Sequence, residues 1–97
     1  MALTEKYKEE LLSIFDKYIP NCSVYLFGSR AIDKEYPGSD IDLAIDAGKK
    51  IDHSIILRIL NDIDDTNIPM EVDIVDFQAA PSKLQKDILN EGIRWKK

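Results

Sequence analysis

Ser23-Val24-Tyr25-Leu26-Phe27-Gly28-Ser29 and, after a short connection, Gly38-Ser39-Asp40-Ile41-Asp42-Leu43-Ala44-Ile45 are the stretches that decide the fold of this chain. The first is a β-rich apolar run halted by glycine, which predicts a buried strand over 23–27. The second alternates carboxylates with aliphatic side chains. As a strand over 40–45 it turns Asp40, Asp42 and Ala44 to one face and Ile41, Leu43 and Ile45 to the other. That strand has a chemical face and a core face.

On the N-terminal side, Tyr7, Leu11, Leu12, Phe15 and Tyr18 recur at helical spacing, predicting an amphipathic helix over 4–18 that Thr4 caps and Pro20-Asn21 ends. Between the two strands, 29–32 predicts the start of a short helix and Tyr36-Pro37-Gly38-Ser39 a turn. Farther on, Ile55, Ile56, Ile59, Leu60 and Ile63 mark a second amphipathic helix over 51–63, with Asp52 its candidate cap and 62–67 a loop. Residues 70–77 predict a third strand, with Glu71, Asp73 and Val75 on one face and Val72, Ile74 and Asp76 on the other. Ser82 caps a last helix over 82–90 that Gly92 closes, and Ile93-Arg94-Trp95 trails it as a tail or edge segment. The order predicts an α/β (α+β) fold, a small mixed β-sheet with helices packed mainly on one face.

With 97 residues the chain is expected to form a single domain over 1–97 with a thin core, which a helical partner or a second copy in a homodimer would help to cover. Net charge is −5 and the basic residues are scattered, which argues against binding duplex nucleic acid through its phosphates. Cys22 is the only cysteine, so an internal disulfide and a cysteine-based zinc site are excluded, and it reads as a small buried hydrophobe. No stretch reaches the length of a membrane span, and Met1-Ala2-Leu3-Thr4 lacks the basic and apolar parts of a signal peptide. A cytoplasmic protein is expected.

Asp40 and Asp42 project in parallel from one strand, about 6 to 7 Å apart at the backbone, a spacing suited to shared ligation of a hard cation. Alone, Asp-x-Asp is a weak signal and reads more readily as a solvated turn. Gly28 lets backbone approach a ligand and Ser29 offers an amide and a hydroxyl, a phosphate cradle in the making. The same pair also serves as a plain strand terminator and cap. Asp73 decides the balance, because a third strand paired beside 40–45 brings a third carboxylate to the first two. Three like charges so close repel unless a cation sits among them. In a two-magnesium arrangement, Asp73 binds one ion and helps deprotonate an attacking hydroxyl while the other ion holds a triphosphate. Other motifs fail: Gly28 lacks the P-loop Gly-Lys-Ser/Thr, Pro37 spoils a calcium loop over 33–44, and His53 sits at a helix start as a surface residue.

Taken together, Leu26-Phe27-Gly28-Ser29-Arg30-Ala31, then Gly38-Ser39-Asp40-Ile41-Asp42-Leu43-Ala44-Ile45, then Val72-Asp73-Ile74-Val75-Asp76 resemble the minimal nucleotidyltransferases of the polymerase-beta superfamily, over about residues 11–94. The resemblance implies a polymerase-beta-like nucleotidyltransferase fold, with Gly28, Ser29 and Arg30 against the phosphates of ATP or another nucleoside triphosphate. It implies Asp40, Asp42 and Asp73 as catalytic magnesium ligands, two ions being expected. Many relatives read Gly-Ser-Arg-Ala-Arg-Gly, whereas Ile32-Asp33 stand here for the second Arg-Gly pair, leaving Arg30 the one cation near the turn. That departure weakens the expected grip on phosphate and bears on turnover more than on fold. Small members of the family resemble the antitoxin halves of pairs formed with a helical HEPN protein, and some transfer AMP to it.

Two functions are expected from these residues taken with what the resemblance implies, from which the HEPN-type partner and AMP come. One is a magnesium-dependent nucleotidyltransferase moving a nucleoside monophosphate, AMP from ATP, to a hydroxyl of a partner protein or small molecule. The other is a non-catalytic antitoxin or regulatory subunit that neutralises a HEPN-type partner through its apolar helix faces. A metal-dependent phosphohydrolase is disfavoured, since Ala44 stands where such enzymes usually carry Thr or Ser after Asp-x-Asp.

Overall fold

The computed structural model describes residues 5–32 and 38–96. Thr4 as a helix cap, Tyr36-Pro37 of the expected turn and Asp33 of the substituted pair lie outside the described residues. The elements run α1 (Glu5–Tyr18), β1 (Ser23–Phe27), a 3₁₀ turn (Gly28–Arg30), β2 (Ile41–Asp46), α2 (His53–Asp64), β3 (Val72–Asp76), a second 3₁₀ turn (Phe77–Ala79), α3 (Ser82–Glu91) and β4 (Ile93–Lys96).

Among the described residues the strands form one mixed sheet in the order β3-β2-β1-β4. β1 runs antiparallel to β2 and to β4, whereas β2 and β3 are parallel. The difference arises from the connections. A parallel neighbour requires the chain to cross back over the sheet, and α2 makes that crossing between β2 and β3. Side-chain alternation then sorts the strands into two faces. Val24 and Leu26 of β1 and Ile41, Leu43 and Ile45 of β2 pack against Leu11 and Phe15 of α1 and Ile59 and Ile63 of α2. The opposite face is smaller: Tyr25, Ala44 and Phe77 cluster with Ile88 of α3. Thus α1 and α2 cover one face, and α3 shields the other.

Polar ties hold the layers in register. Tyr18 donates its hydroxyl to Asp62 at 2.7 Å and Lys17 donates its ammonium to the same oxygen at 3.1 Å, joining α1 to α2. These two bonds, Tyr18 first, hold the Asp62 carboxyl below its ordinary value. Lys96 of β4 pairs with Asp16 of α1. Asp76 accepts the Ile51 amide at 2.8 Å and the Gln78 amide at 3.2 Å, so it braces the approach to α2 rather than joining the carboxylates on the other face.

Several local expectations change. Asp52 does occupy the cap position of α2, but its side chain makes no capping bond; its carbonyl accepts the Ile55 amide at 3.0 Å and the Ile56 amide at 3.3 Å. Pro81, not Ser82, is the cap residue of α3, its fixed φ of −59° leading the chain into the helix while Ser82 becomes the first helical residue. α2 extends through Asp64, so Asp62 is helical. Gly92 closes α3 with an extended backbone, φ −73°, and not a left-handed one. It is glycine for space: a Cβ there would lie 2.3 Å from the Ile88 carbonyl oxygen. The segment after it is an edge strand, Trp95 lying against the Lys8 ammonium at 5.8 Å. Cys22 is buried and His53 exposed, as the sequence suggests.

Candidate active site

Strand register assembles the site. Antiparallel pairing sets Phe27 opposite Asp42, so the chain leaves β1 into Gly28 beside that carboxylate. Parallel pairing sets Asp42 opposite Asp73, so both side chains rise on one face of adjacent strands. Asp40 stands just before β2, exposed; Asp73 is exposed and Asp42 half-buried. The three aspartates expected from the sequence and the Gly28-Ser29 turn thus meet at one end of the sheet.

Asp42 is under electrostatic stress. Its carboxyl is pushed above the ordinary carboxylate range, chiefly by burial and then by the charges of Asp73 and Asp40, with a hydrogen bond to Asp73 adding to the shift. Like charges resist closing on one another, and among the described residues no three His, Cys, Asp or Glu side chains are gathered tightly enough to hold an ion as they stand. The donor set nevertheless fits a hard divalent cation: all its ligands are carboxylate oxygens, and one of them is partly desolvated beside two other negative charges.

Gly28 has a role that the sequence does not reveal. Its φ is +76°, a left-handed conformation, and a Cβ built on it would fall 2.3 Å from Oδ2 of Asp42. The residue is glycine to let the Asp42 carboxylate lie against the turn, beyond any approach of backbone to ligand. From Gly28 the chain makes a single 3₁₀ turn, closed by the Ala31 amide donating to the Gly28 carbonyl at 3.1 Å. A turn this short carries no summed dipole of a long helix.

Arg30 is also placed in a way that spacing could not show. It is 7% exposed, and its Nε and Nη2 donate to the Ser39 carbonyl at 3.1 and 2.8 Å. Two donors on one carbonyl pin the glycine turn to the residue before Asp40. Ile32, by contrast, is 42% exposed and shares with Phe27, Gly28 and Leu84 a small cavity of about 180 Å³ whose rim carries Asp87 and Glu91. Sequence reasoning had no access to this hollow, because α3 supplies half of it from far along the chain.

Residues 9–95 match the family Polymerase beta, Nucleotidyltransferase, and the chain belongs to that family of enzymes. Among curated proteins it is 31% identical over 76 residues to the probable protein adenylyltransferase MntA of Haemophilus influenzae, spanning 78% of this chain and 67% of that one. Among solved structures it resembles a toxin–antitoxin complex with AMP-PNP at a TM-score of 0.78 and 24% identity, covering 91% of this chain and 71% of the other. A mutant MntA–HpeT toxin–antitoxin complex gives a TM-score of 0.75 at 25% identity, with 95% and 71% covered. The complex of the tri-AMPylated Shewanella oneidensis HEPN toxin with its MNT antitoxin gives 0.67 at 22% identity, with 98% and 71% covered. The fold is that of the polymerase-beta-like nucleotidyltransferases. No helix among the described residues is long and apolar enough to cross a membrane.

Proposed function

We propose that this protein transfers AMP from ATP, with magnesium, to a hydroxyl of a partner protein, and that the partner is a helical HEPN-type toxin which the transfer silences. The carrying observation is Asp42, half-buried between Gly28 and Asp73, with its carboxyl raised by burial and by two neighbouring carboxylates. The character of the relatives supports the rest: an adenylyltransferase by name, and toxin–antitoxin complexes that include an AMP-PNP complex and a tri-AMPylated toxin.

In this reading Asp40, Asp42 and Asp73 would hold magnesium, as two ions. When bound, the ions neutralise the triphosphate and the charge that develops on the leaving group. Gly28 and Ser29 bind the phosphates through backbone amide and hydroxyl. Arg30, held on the Ser39 carbonyl, keeps that turn at a fixed distance from Asp40. Asp73, exposed on the outer strand, takes the proton of the acceptor hydroxyl. The acceptor oxygen bonds the α-phosphorus, the bridge to the β-phosphate breaks, and pyrophosphate departs. Catalysis is then mainly positioning and charge neutralisation.

The test is transfer of label from α-labelled ATP, with magnesium, to the candidate partner. Label on the partner that disappears with Asp42→Asn is the expected result. No transfer, or transfer undiminished by that substitution, refutes the proposal.

A second reading has an observation of its own. Arg30 is committed to Ser39, and Ile32 stands where many relatives carry a further arginine, so the turn offers phosphate little positive charge. On that reading the protein neutralises its partner by binding alone. Neutralisation that survives Asp40→Asn/Asp42→Asn would support it, and loss of neutralisation with folding and binding intact would exclude it.

A further inference from the structure

Among the described residues β3 forms one edge of the sheet, paired with β2 alone. In that ladder the Ile41 amide donates to the Glu71 carbonyl at 2.8 Å, so Glu71, Asp73 and Val75 direct their paired backbone groups inward. Alternation leaves the N–H and C=O of Val72 and Ile74 on the outer edge, with no strand beyond them among the described residues. Beside this edge runs a cavity of about 580 Å³ between the end of α2 and the segment leading into β3. Leu60, Ile68 and Met70 give it apolar walls, and among the described residues the charged ones lining it are all acids: Asp64, Glu71 and Asp73.

We propose that this groove receives an extended, lysine- or arginine-bearing segment of the acceptor polypeptide as a fifth strand on β3, and that strand register delivers the acceptor hydroxyl to Asp73. The inference rests on the hydroxyl-nucleotidylating reading of the site and specifies the form of its substrate. Strands in a sheet lie about 4.8 Å apart, so an added strand repeats beyond β3 the step from β2 to β3. Its residue opposite Asp73 projects on the same face as Asp42 and Asp73, next in line after them. A hydroxyl side chain there stands beside the Asp73 carboxylate, while the residues before and after it turn into the apolar groove. The acidic rim and the net charge of −5 select a basic segment, and the continuity of the groove with Asp73 ties its occupant to the reaction.

The probe is the peptide acetyl-Lys-Lys-Val-Thr-Val-Lys-Lys-amide, whose threonine shares a face with two lysines and whose valines share the other. On binding it should slow hydrogen exchange at the Val72 and Ile74 amides by about tenfold or more, and the counterpart with glutamate for lysine should not. Ile74→Pro removes an outward N–H that an edge strand can lose, so it should abolish peptide binding and leave magnesium–ATP binding intact. Asp64→Lys/Glu71→Lys should weaken the peptide by about tenfold or more, and it carries the test should the proline variant fail to fold. Binding without protection of Val72 and Ile74, equal binding of the glutamate peptide, or full binding to the charge-reversed protein overturns the proposal. Label transfer from ATP is read on the same samples. Protection without transfer upholds the docking and counts against the catalytic reading, whereas transfer to threonine without protection overturns the docking alone.

Discussion

Replacing Gly28 by alanine tests the central contact of the site. Two costs arise from the structure. The left-handed backbone at φ +76° disfavours any residue with a Cβ by about 1–2 kcal/mol. The new methyl group would sit 2.3 Å from Asp42 Oδ2, a separation that forces the carboxylate off its rotamer at roughly 0.5–1.5 kcal/mol. Restricting the unfolded chain returns about 0.4–1 kcal/mol. The net loss is about 1–2.5 kcal/mol, or roughly 5–15 °C in Tm for a domain of this size. Because the second cost belongs to one pair, it is measured by a cycle of wild type, Gly28→Ala, Asp42→Ala and the double variant, unfolded in urea with EDTA present. With Asp42 truncated, Gly28→Ala should cost only its backbone part, leaving a coupling of about 0.5–1.5 kcal/mol. Equal costs in both backgrounds, within about 0.3 kcal/mol, would refute the assignment of Gly28 to the Asp42 carboxylate.

Asp42 also contributes a pH dependence to the metal-free fold, opposite in sign to that of Asp62, whose carboxyl is held low. The folded value of Asp42 is raised, so the native state binds this proton more tightly than the unfolded chain, and stability falls as pH rises from the unfolded value near 3.9 through the folded one. Asp42→Asn should flatten that slope and raise Tm at pH 7 in EDTA, while magnesium should raise the Tm of wild type and not of the variant; parallel pH curves would contradict this. Arg30→Lys replaces a two-donor fork on the Ser39 carbonyl with a single ammonium in a buried setting and should cost about 1–3 kcal/mol in urea unfolding. Gly92→Ala presses a methyl group onto the Ile88 carbonyl oxygen, which is backbone and cannot rotate away as a carboxylate can. Its effect should exceed that of Gly28→Ala and register as faster amide exchange along α3 and β4.

Much of the architecture is legible in periodicity. The alternation of Asp40 to Ile45 reports both faces of β2, and Ile41, Leu43 and Ile45 are buried as it implies, but it does not reveal that Ala44 on the other face is buried as well, in the cluster with Ile88 of α3. The stripe containing Leu11 and Phe15 likewise marks the buried face of α1. What periodicity cannot carry is partnership. Whether Ser82 caps a helix depends on the turn geometry imposed by Pro81, and whether Arg30 faces a phosphate or a carbonyl depends on where Ser39 comes to rest. The meeting of Asp42 with Asp73 was foreseeable only as a condition: if the third strand pairs beside the second, the carboxylates meet. The close fit of Gly28 to Asp42 had no local signal, since a terminating glycine and a glycine making room for a distant side chain look identical in sequence.

The parallel pairing of β2 with β3 has a consequence for how activity is lost. Asp73 sits on a strand held to the sheet from one side, braced by the Asp76 bonds to Ile51 and Gln78, while β1 and β2 are joined by an independent antiparallel ladder. Opening β3 alone therefore separates Asp73 from Asp42 and leaves most of the core, with Leu11, Phe15 and Leu43, in place. Partial opening of this kind lies below global unfolding in free energy. On heating, catalytic competence should decay several degrees before the far-ultraviolet signal, and, if Asp42 and Asp73 hold magnesium as proposed, added magnesium should bring the two transitions together. The same ion would then act as the clasp of a fold that is complete, but not fastened, without it.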